Sequence, residues 1–329
     1  MAALDVVGIG NAIVDVIAQA DDAFLSRHGL VKGSMQLIDA ARAEALYAAM
    51  GPALEMSGGS AGNTMAGIAS LGGSGAYIGK VSEDELGRVF AHDMRAIGVR
   101  FEAAALVAGP PTARSLILVT PDAQRTMNTF LGACVELGPE DIPEPLIAAA
   151  EVTYLEGYLF DPPRAKAAFR KAAELAHAAG RKVSLTLSDA FCVERYRAEF
   201  RALIEGHIDI LFANEAEITA LYETRDFDAV VAALRGQCEI AALTRSEKGS
   251  VILAGNAAHH VAAAKVERLV DTTGAGDLYA SGFLFGLTHG RDLSTCGRLG
   301  SLAAAEVIGH FGARPETSLR QLAARAGLL

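Results

Sequence analysis

The fold is decided by the stretch Val270-Asp271-Thr272-Thr273-Gly274-Ala275-Gly276-Asp277, a loop with two glycines that the apolar residues 278–286 follow at once. The apolar pair Leu269 and Val270 is typical of the end of a strand, and residues 278–286 are typical of a buried helix. A strand that leads through a glycine loop into a helix is the repeating step of an α/β fold. The stretch therefore predicts a helix whose first turn faces a ligand.

The two glycines of this loop predict an anion site. Without side chains, Gly274 and Gly276 let a ligand approach the backbone and expose several amides in one direction. The unpaired amides at the start of the helix add a partial positive charge. Asp277 then has two interpretations. It complements the helix dipole, as acidic residues in a first turn commonly do, or it accepts the proton of a hydroxyl that attacks a phosphoryl group held by the amides.

Length, charge and cysteine spacing narrow the class of protein. A chain of 329 residues suits one large α/β domain, with or without a small appendage, or two domains. A net charge of −10 without a basic stretch argues against nucleic acid as a main partner. The four cysteines form no Cys-x-x-Cys pair, so no zinc site or disulfide framework is indicated. The N-terminus lacks the basic flank of a signal peptide and no apolar run could span a bilayer, so we expect a cytoplasmic protein with no membrane partner.

An apolar, strand-like stretch near the N-terminus carries two isolated polar residues, Asn11 and Asp15. Gly8-Ile9-Gly10 in this stretch is not a dinucleotide-binding fingerprint, because Ile13 stands where the third glycine is required. An NAD-linked dehydrogenase is therefore disfavoured. Polar groups in an apolar strand pair need partners, so the two residues are either turn residues or ligand contacts. A carboxylate suits a cis-diol, because it accepts two hydrogen bonds at once.

A second glycine-rich turn, Ser57-Gly58-Gly59-Ser60-Ala61-Gly62-Asn63-Thr64, precedes a helix of small residues predicted at 65–72. Its glycines allow a sugar ring to lie against the backbone. The amide of Asn63 offers both a donor and an acceptor to a hydroxyl. An isolated turn of this kind is a weak signal, and it gains weight from the glycine loop about 200 residues later.

Two other motifs do not predict sites. Gly79-Lys80 is not a P-loop, because Val81 replaces the required Ser or Thr and Ser74 replaces the first glycine. The eight histidines show no metal-ligand spacing, and His259-His260 is typical of an exposed turn.

After residue 150, short apolar strands alternate with helices. Strands are predicted at 152–157, 182–188, 208–213 and 240–244, and helices at 163–179, 215–222, 227–235 and 299–308. Repeated β–α units predict a mainly parallel sheet with helices on both faces and ligands at the carboxyl ends of the strands. We expect a three-layer α/β/α fold in which residues 1–329 form a single domain.

A smaller sheet is predicted in the first half of the chain. Residues 112–127 have the pattern of a hairpin with a Pro-Asp-Ala-Gln turn, and residues 11–18 and 32–38 contain short strands. A sheet of this size is too small for helices to pack against both of its faces. We therefore predict a lid over the site, formed by the discontinuous segments 11–40 and 100–130.

Three motifs in order along the chain resemble those of one family. The Asp271–Asp277 string, the turn Gly58-Gly59 with Asn63, and Asn214-Glu215-Ala216-Glu217 are similar to the signatures of the ribokinase-like (PfkB) family of sugar and nucleoside kinases. The resemblance extends from Val6 to about Pro315. It implies that Asp277 is the general base and that the amides of Gly274, Ala275 and Gly276 form an anion hole. It also implies an acceptor site, formed by Asn11, Asp15, Gln36, Gly59, Ser60 and Asn63.

The resemblance also implies an ATP side with Mg²⁺. Asn214 and Glu217 would hold Mg²⁺ through water, although an N-cap with an acidic first turn explains the same residues. Thr244 and Gly249 match the family's nucleotide turn, in which Ser246 replaces the usual first glycine.

Two further roles on the nucleotide side are open. Asp271 and the carbonyl of Thr273 are candidates for a monovalent cation such as K⁺. Arg125 is either a solvated turn residue or a contact for the transferring phosphoryl group.

The predicted function is an ATP-dependent kinase that phosphorylates a primary hydroxyl of a small molecule. Residues Gly10-Asn11, Gln36 and Thr126-Met127-Asn128-Thr129 resemble adenosine-kinase-like members more than ribokinases, which favours adenosine as the acceptor and AMP as the product. A sugar kinase for ribose, fructose or a related sugar is the alternative. A catalytically silent nucleotide or sugar sensor is a second alternative, which the presence of Asp277 disfavours. The sequence leaves monomer and homodimer open.

Overall fold

The structure is a computed structural model that describes residues 2–102, 105–122, 124–160 and 162–329. The strands are β1 Leu4–Ile9, β2 Ile13–Gln19, β3 Met35–Leu37, β4 Ala53–Ser57, β5 Gly75–Ile78, β6 Arg100–Phe101, β7 Ala113–Val119, β8 Arg125–Phe130, β9 Ala150–Glu156, β10 Lys182–Thr186, β11 Ile210–Asn214, β12 Ile240–Thr244, β13 Ser250–Ala254 and β14 Ala257–Val261. The α-helices are α1 Asp22–Arg27, α2 Ala40–Ala49, α3 Ser60–Leu71, α4 Glu85–Ala96, α5 Glu144–Ala149, α6 Pro163–Ala178, α7 Ala190–His207, α8 Glu215–Tyr222, α9 Phe227–Leu234, α10 Ala275–Thr288, α11 Leu293–Val307 and α12 Leu319–Arg325.

A nine-stranded sheet in the order β14-β13-β12-β11-β10-β9-β1-β5-β6 forms the centre of the molecule. Its strands from β12 to β6 are parallel, and β13 and β14 add an antiparallel hairpin at one edge. The parallel strands are short apolar runs because helices cover both of their faces. One apolar core lies between the sheet and α3, α10 and α11, and the other lies between the sheet and α6, α7 and α8. The predicted three-layer α/β/α architecture is confirmed.

The sheet order places the ligand site. The chain leaves β1 to build β5 and β6 on one side and returns to build β9 to β12 on the other. Such a change of direction leaves a crevice at the carboxyl ends of the strands around it. The turn at Gly10-Asn11 follows β1, and Glu156, Asn214 and Thr244 end β9, β11 and β12. Residues from four strands therefore reach the same edge of the sheet.

Five strands form a separate sheet in the order β3-β8-β7-β2-β4. We call it the second sheet. It contains the predicted hairpin, β7 and β8, and also β4, which the sequence analysis did not predict. The strand at Arg100–Phe101 pairs with β5 in the large sheet, so the segment 100–130 divides between the two sheets. Of the predicted hairpin turn, Ala123 lies outside the described residues.

Three local predictions are wrong. Leu269 and Val270 do not belong to a strand, and Leu269 is exposed. The histidines 259 and 260 lie in strand β14 rather than in a turn, because β14 is an edge strand and polar side chains are tolerated at the edge of a sheet. Helix α3 begins at Ser60, five residues earlier than predicted, since the Gly58-Gly59 pair completes the turn by itself.

Helices α3 and α10 pack closely at Gly67. A Cβ at this position would lie 2.2 Å from Oγ of Ser281 on α10. The small side chains of α3 thus let the two helices approach each other, and both helices begin at the crevice. No helix formed by the described residues has the length and apolar character that a bilayer span requires.

Candidate active site

The start of α10 forms an open anion cradle. Gly274 is the N-cap with φ of 79°, and no side chain caps this end of the helix. A Cβ on Gly274 would lie 2.8 Å from Cα of Ala313, so both the positive φ and the close contact require glycine. Thr272, Thr273, Gly274, Ala275 and Gly276 all line one cavity of about 930 Å³. The uncapped amides and the positive end of the helix dipole therefore face this cavity.

The carboxylate of Asp277 is held from α3 rather than from its own helix. Ser60 donates its hydroxyl to Oδ1 at 2.6 Å, and Nδ2 of Asn63 donates to Oδ2 at 3.0 Å. Burial raises the pKa of Asp277 above its ordinary value, and these two hydrogen bonds oppose the rise. Asp277 does not cap α10, so its carboxylate leaves the first-turn amides of that helix to other partners, and the amide of Ala275 donates to the carbonyl oxygen of Thr272 at 3.3 Å.

Gly59 and Gly58 shape the floor beside this carboxylate. Gly59, the N-cap of α3, has φ of 81°, and a Cβ there would lie 2.3 Å from the carbonyl oxygen of Asn11. A Cβ on Gly58 would lie 2.3 Å from Oδ2 of Asp15. Glycine is therefore required at position 59 for the chain to pack against the turn before β2, and Gly58 leaves room for the carboxyl group of Asp15.

Asp15 is a half-buried acid that lines the cavity from β2. Burial raises its pKa to about 6, and the guanidinium groups of Arg125 and Arg314 oppose that rise. The cavity contains Asp15, Asn63 and Asp277 together. An acceptor held by Asp15 would thus share one cleft with the proposed base.

Glu156 is a cavity residue that the sequence analysis missed. It is 1% exposed and its Oε1 accepts a hydrogen bond of 2.7 Å from Nδ2 of Asn11, while its Oε2 accepts one of 2.8 Å from the backbone amide of Ala61. A Cβ at Gly10 would lie 2.3 Å from Oε2, so the glycine makes room for the carboxylate. Burial raises the pKa of Glu156 to about 7. The only signal in the sequence is an acid at the end of a buried strand.

The cavity-facing side of the second sheet is mostly apolar. Strand alternation places on it Ile13, Asp15, Met35, Leu37, Ser115, Ile117, Met127 and Thr129, all of which line the cavity. The hydroxyls of Ser115 and Thr129 are 3.0 Å apart and bond to each other. Tyr158 and the exposed ring of Phe191 form part of the opposite wall.

Gln36 borders the cavity, but its amide group does not project from the cavity-facing side of the second sheet. Its neighbours Met35 and Leu37 pair with Met127 and Thr129 on the cavity side, which places Gln36 and Asn128 on the other side. Nε2 of Gln36 donates to Oδ1 of Asn128 at 2.7 Å. The strand register and this bond turn the Gln36 amide towards Asn128, and a contact from Gln36 to an acceptor stays a prediction.

Arg125 and Asp271 form a buried ion pair between β8 and the loop before α10. Oδ1 of Asp271 also accepts hydrogen bonds from the amide and hydroxyl of Thr273, at 3.0 and 2.7 Å, and Oδ2 accepts one of 3.2 Å from the amide of Gly312. These interactions lower the pKa of Asp271, although burial by itself would raise it. The carboxylate is thus committed to protein partners, and a monovalent cation at Asp271 and Thr273 stays a prediction without support from this donor set.

Asn214 and Glu217 form a reciprocal cap at the start of α8. Oδ1 of Asn214 accepts from the amide of Glu217 at 2.9 Å, and the Glu217 carboxylate accepts from the backbone amide of Asn214, also at 2.9 Å. Both residues line the cavity. Each oxygen keeps a free lone pair, so the pair fits contacts to the water shell of a hydrated Mg²⁺. No cluster of three metal-binding side chains occurs among the described residues.

The turn between β12 and β13 carries the predicted nucleotide residues. Thr244 lines the cavity, and Gly249, with φ of 83°, shapes the turn behind it, where a Cβ would lie 2.1 Å from the carbonyl oxygen of Val261. Ser246 has φ of 50°, a left-handed conformation that glycine adopts without strain. Arg245 pairs with Glu215 at 2.8 Å and ties this turn to α8.

The chain is similar to known kinases over nearly its whole length. The sequence profile described as pfkB family carbohydrate kinase matches residues 44–319. The structure resembles adenosine kinase from Sinorhizobium meliloti at 58% identity and a TM-score of 0.92, covering 99% of this chain and 100% of that one. It resembles a probable sugar kinase protein from Rhizobium etli CFN 42 at 55% identity and a TM-score of 0.93, with both chains covered completely. Adenosine kinase of Saccharomyces cerevisiae is 26% identical over 326 residues, which cover 92% of this chain and 94% of that protein.

Proposed function

Because the chain belongs to the pfkB family of carbohydrate kinases, whose members are phosphotransferases that act on hydroxyl groups, we propose that it transfers the γ-phosphoryl group of ATP to the 5′-hydroxyl of adenosine. One observation carries the proposal. A single cavity is lined by the hydrogen-bonded carboxylate of Asp277, by the start of α10, which no side chain caps, and by apolar side chains of the second sheet. The first two features suit phosphoryl transfer to an alcohol, and the third suits a nucleobase.

The ribose would lie against the start of α3. Asp15, when ionised, accepts hydrogen bonds from the 2′- and 3′-hydroxyls. Oδ1 of Asn63 is buried and has no hydrogen-bond partner among the described residues. A ribose hydroxyl would give this oxygen the donor that it lacks, while Nδ2 of the same side chain stays on Asp277. Gly59 allows the sugar to approach the backbone.

The base would lie between the second sheet and the aromatic wall. Met35, Ile117 and Met127 offer apolar contact on one side, and the rings of Tyr158 and Phe191 offer flat surfaces on the other. Burial of an aromatic base between such surfaces is favourable. A free pentose or hexose would leave this part of the cavity unfilled, which is why we favour a nucleoside.

The transfer would take place at the start of α10. Asp277 accepts the proton of the 5′-hydroxyl as its oxygen approaches the γ-phosphorus. The amides of Gly274, Ala275 and Gly276 stabilise the charge on the phosphoryl oxygens. Arg125 would leave Asp271 and add a guanidinium at the same place. When bound, Mg²⁺ neutralises phosphate charge, and Asn214 and Glu217 would hold its water shell.

The second sheet would act as the lid over this reaction. It carries Asp15, the apolar wall and Arg125, so its approach to the large sheet brings acceptor and charge-stabilising groups together. Exclusion of water from the closed cavity would limit hydrolysis of ATP.

The test is a coupled assay of ADP release with adenosine, inosine, guanosine, cytidine, ribose and fructose side by side. Adenosine should give the highest kcat/KM, and chromatography should identify AMP as the product. Higher kcat/KM with ribose or fructose would make the protein a sugar kinase, a candidate that the probable sugar kinase of Rhizobium etli favours. Absence of ADP with every acceptor would favour a nucleotide or sugar sensor.

A further inference from the structure

The first residue of α3, Ser60, makes a contact that neither substrate binding nor helix capping explains. Its hydroxyl donates to Oδ1 of Asp277 at 2.6 Å across 217 residues of sequence. Helix α3 is capped by Gly59 without any side-chain hydrogen bond, so the hydroxyl is not used to start its own helix. The direction of the bond is determined, because an ionised carboxylate only accepts.

The backbone of Ser60 is fixed, which makes this bond directional. Gly59 reaches its φ of 81° against the carbonyl oxygen of Asn11, and the next amide along α3, that of Ala61, donates to the buried Glu156. The first turn of α3 is therefore anchored on the N-terminal turn and on β9. A hydroxyl on such a rigid turn can hold the orientation of a partner side chain.

We propose that Ser60 is a positioning residue for Asp277, whose hydroxyl holds the carboxylate in the orientation that receives the acceptor's proton. The inference rests on the proposed function and refines the sequence-based assignment of Ser60 to the acceptor. Asn63 holds the second oxygen at 3.0 Å, and its own free oxygen is left for the acceptor. The two side chains thus divide their tasks: Ser60 serves the base alone, and Asn63 serves both base and acceptor.

The fall of kcat at low pH would report on this bond, because the bond stabilises the ionised form of Asp277. Several other groups near Asp277 also titrate. Ionisable side chains whose charges interact with that of Asp277 include Asp15 on β2, Tyr154 and Glu156 on β9, Tyr158 after it and Glu217 on α8. Interacting groups give composite profiles. The informative quantity is therefore the difference between variants that share all these neighbours.

The experiment compares Ser60→Ala with Ser60→Thr and with Ser70→Ala. Ser70 lies at the opposite end of α3, and its hydroxyl oxygen accepts a hydrogen bond of 3.0 Å from the amide of Leu319. Its removal thus costs the same helix one hydrogen bond far from the cavity. One readout is the pH dependence of kcat and of kcat/KM for adenosine. The other is the pKa of the Asp277 carboxyl group, obtained from the ¹³C chemical shift of its carboxyl carbon as a function of pH.

Ser60→Ala should shift the acid limb of the kcat profile to higher pH and raise the pKa of Asp277, each by about one pH unit, as expected for loss of one hydrogen bond to a charged group. It should lower kcat more than it changes the KM for adenosine. Ser60→Thr should restore both readouts, and Ser70→Ala should match the wild type in both. An unchanged pKa of Asp277 in Ser60→Ala, or equal shifts in Ser60→Ala and Ser70→Ala, would overturn the proposal.

The NMR titration separates the two proposals. A wild type that phosphorylates no acceptor would refute the kinase function, whereas the pKa of Asp277 would still show whether Ser60 holds the carboxylate. A wild type that is active on adenosine, with Ser60→Ala identical to it at every pH, would refute the role of Ser60 alone.

Discussion

Replacing Asp277 by Asn tests the proposed mechanism most directly, because the cavity accommodates the amide. Ser60 can still donate to the remaining oxygen. The new NH₂ group would face Nδ2 of Asn63, and a turn of the Asn63 amide would present its unpartnered Oδ1 instead. The number of hydrogen bonds is then conserved. We therefore expect the variant to fold, with a change in stability of no more than about 1 kcal/mol, or roughly 1–2 °C in Tm for a chain of 329 residues.

The loss of activity should be large. General base catalysis contributes about 10²–10⁴-fold, so kcat should fall by that factor, which corresponds to roughly 3–5 kcal/mol of activation free energy. The affinity for ATP should change little, because the α10 amides that would hold the phosphates are backbone groups. The assay is coupled ADP release at saturating adenosine and ATP, with ATP affinity measured by calorimetry.

A matched control is Asp292→Asn, which makes the same chemical change at the N-cap of α11. Asn caps helices as well as Asp does, so kcat should be unchanged. If Asp277→Asn keeps kcat within a factor of about ten of the wild type, below the range of base catalysis, then Asp277 is not the base and the mechanism fails.

Three other predictions address the acceptor, the anion cradle and pH. Asp15→Ala should raise the KM for adenosine more than it lowers kcat, since the side chain would hold ribose hydroxyls; an unchanged KM would remove it from the site. Gly274→Ala should abolish turnover, because φ is 79° and the new Cβ would lie 2.8 Å from Cα of Ala313; wild-type kcat would refute the cradle. The kcat/KM for adenosine should fall as the pH drops through about 6, where Asp15 takes up a proton and loses acceptor capacity. Asp15→Asn should not show this fall, and an identical profile in that variant would assign it to another group.

Much of the molecule follows from local sequence. Alternating β–α units predict the parallel sheet, and the glycines of the 270–277 loop and of the 57–64 turn predict positions where the backbone needs positive φ or close approach. These signals are local because they arise from the conformational freedom of single residues and from short hydrophobic periods. The predicted α8 matches the observed Glu215–Tyr222 because Asn214 and Glu217 cap it within one turn.

The contacts that define the site are different in kind, because they join residues far apart in the chain. The hydrogen bond from Ser60 to Asp277 depends on how α3 and α10 cross at Gly67, and the role of Glu156 depends on β9 lying beside β1. For Gln36, a register shift of one residue decides which side of the second sheet it occupies. The sequence alone determined the architecture and the kinase class, since both rest on local patterns. Only the tertiary structure decided which side chain holds Asp277. That contact depends on which helices pack against each other, and local sequence patterns do not specify such pairs.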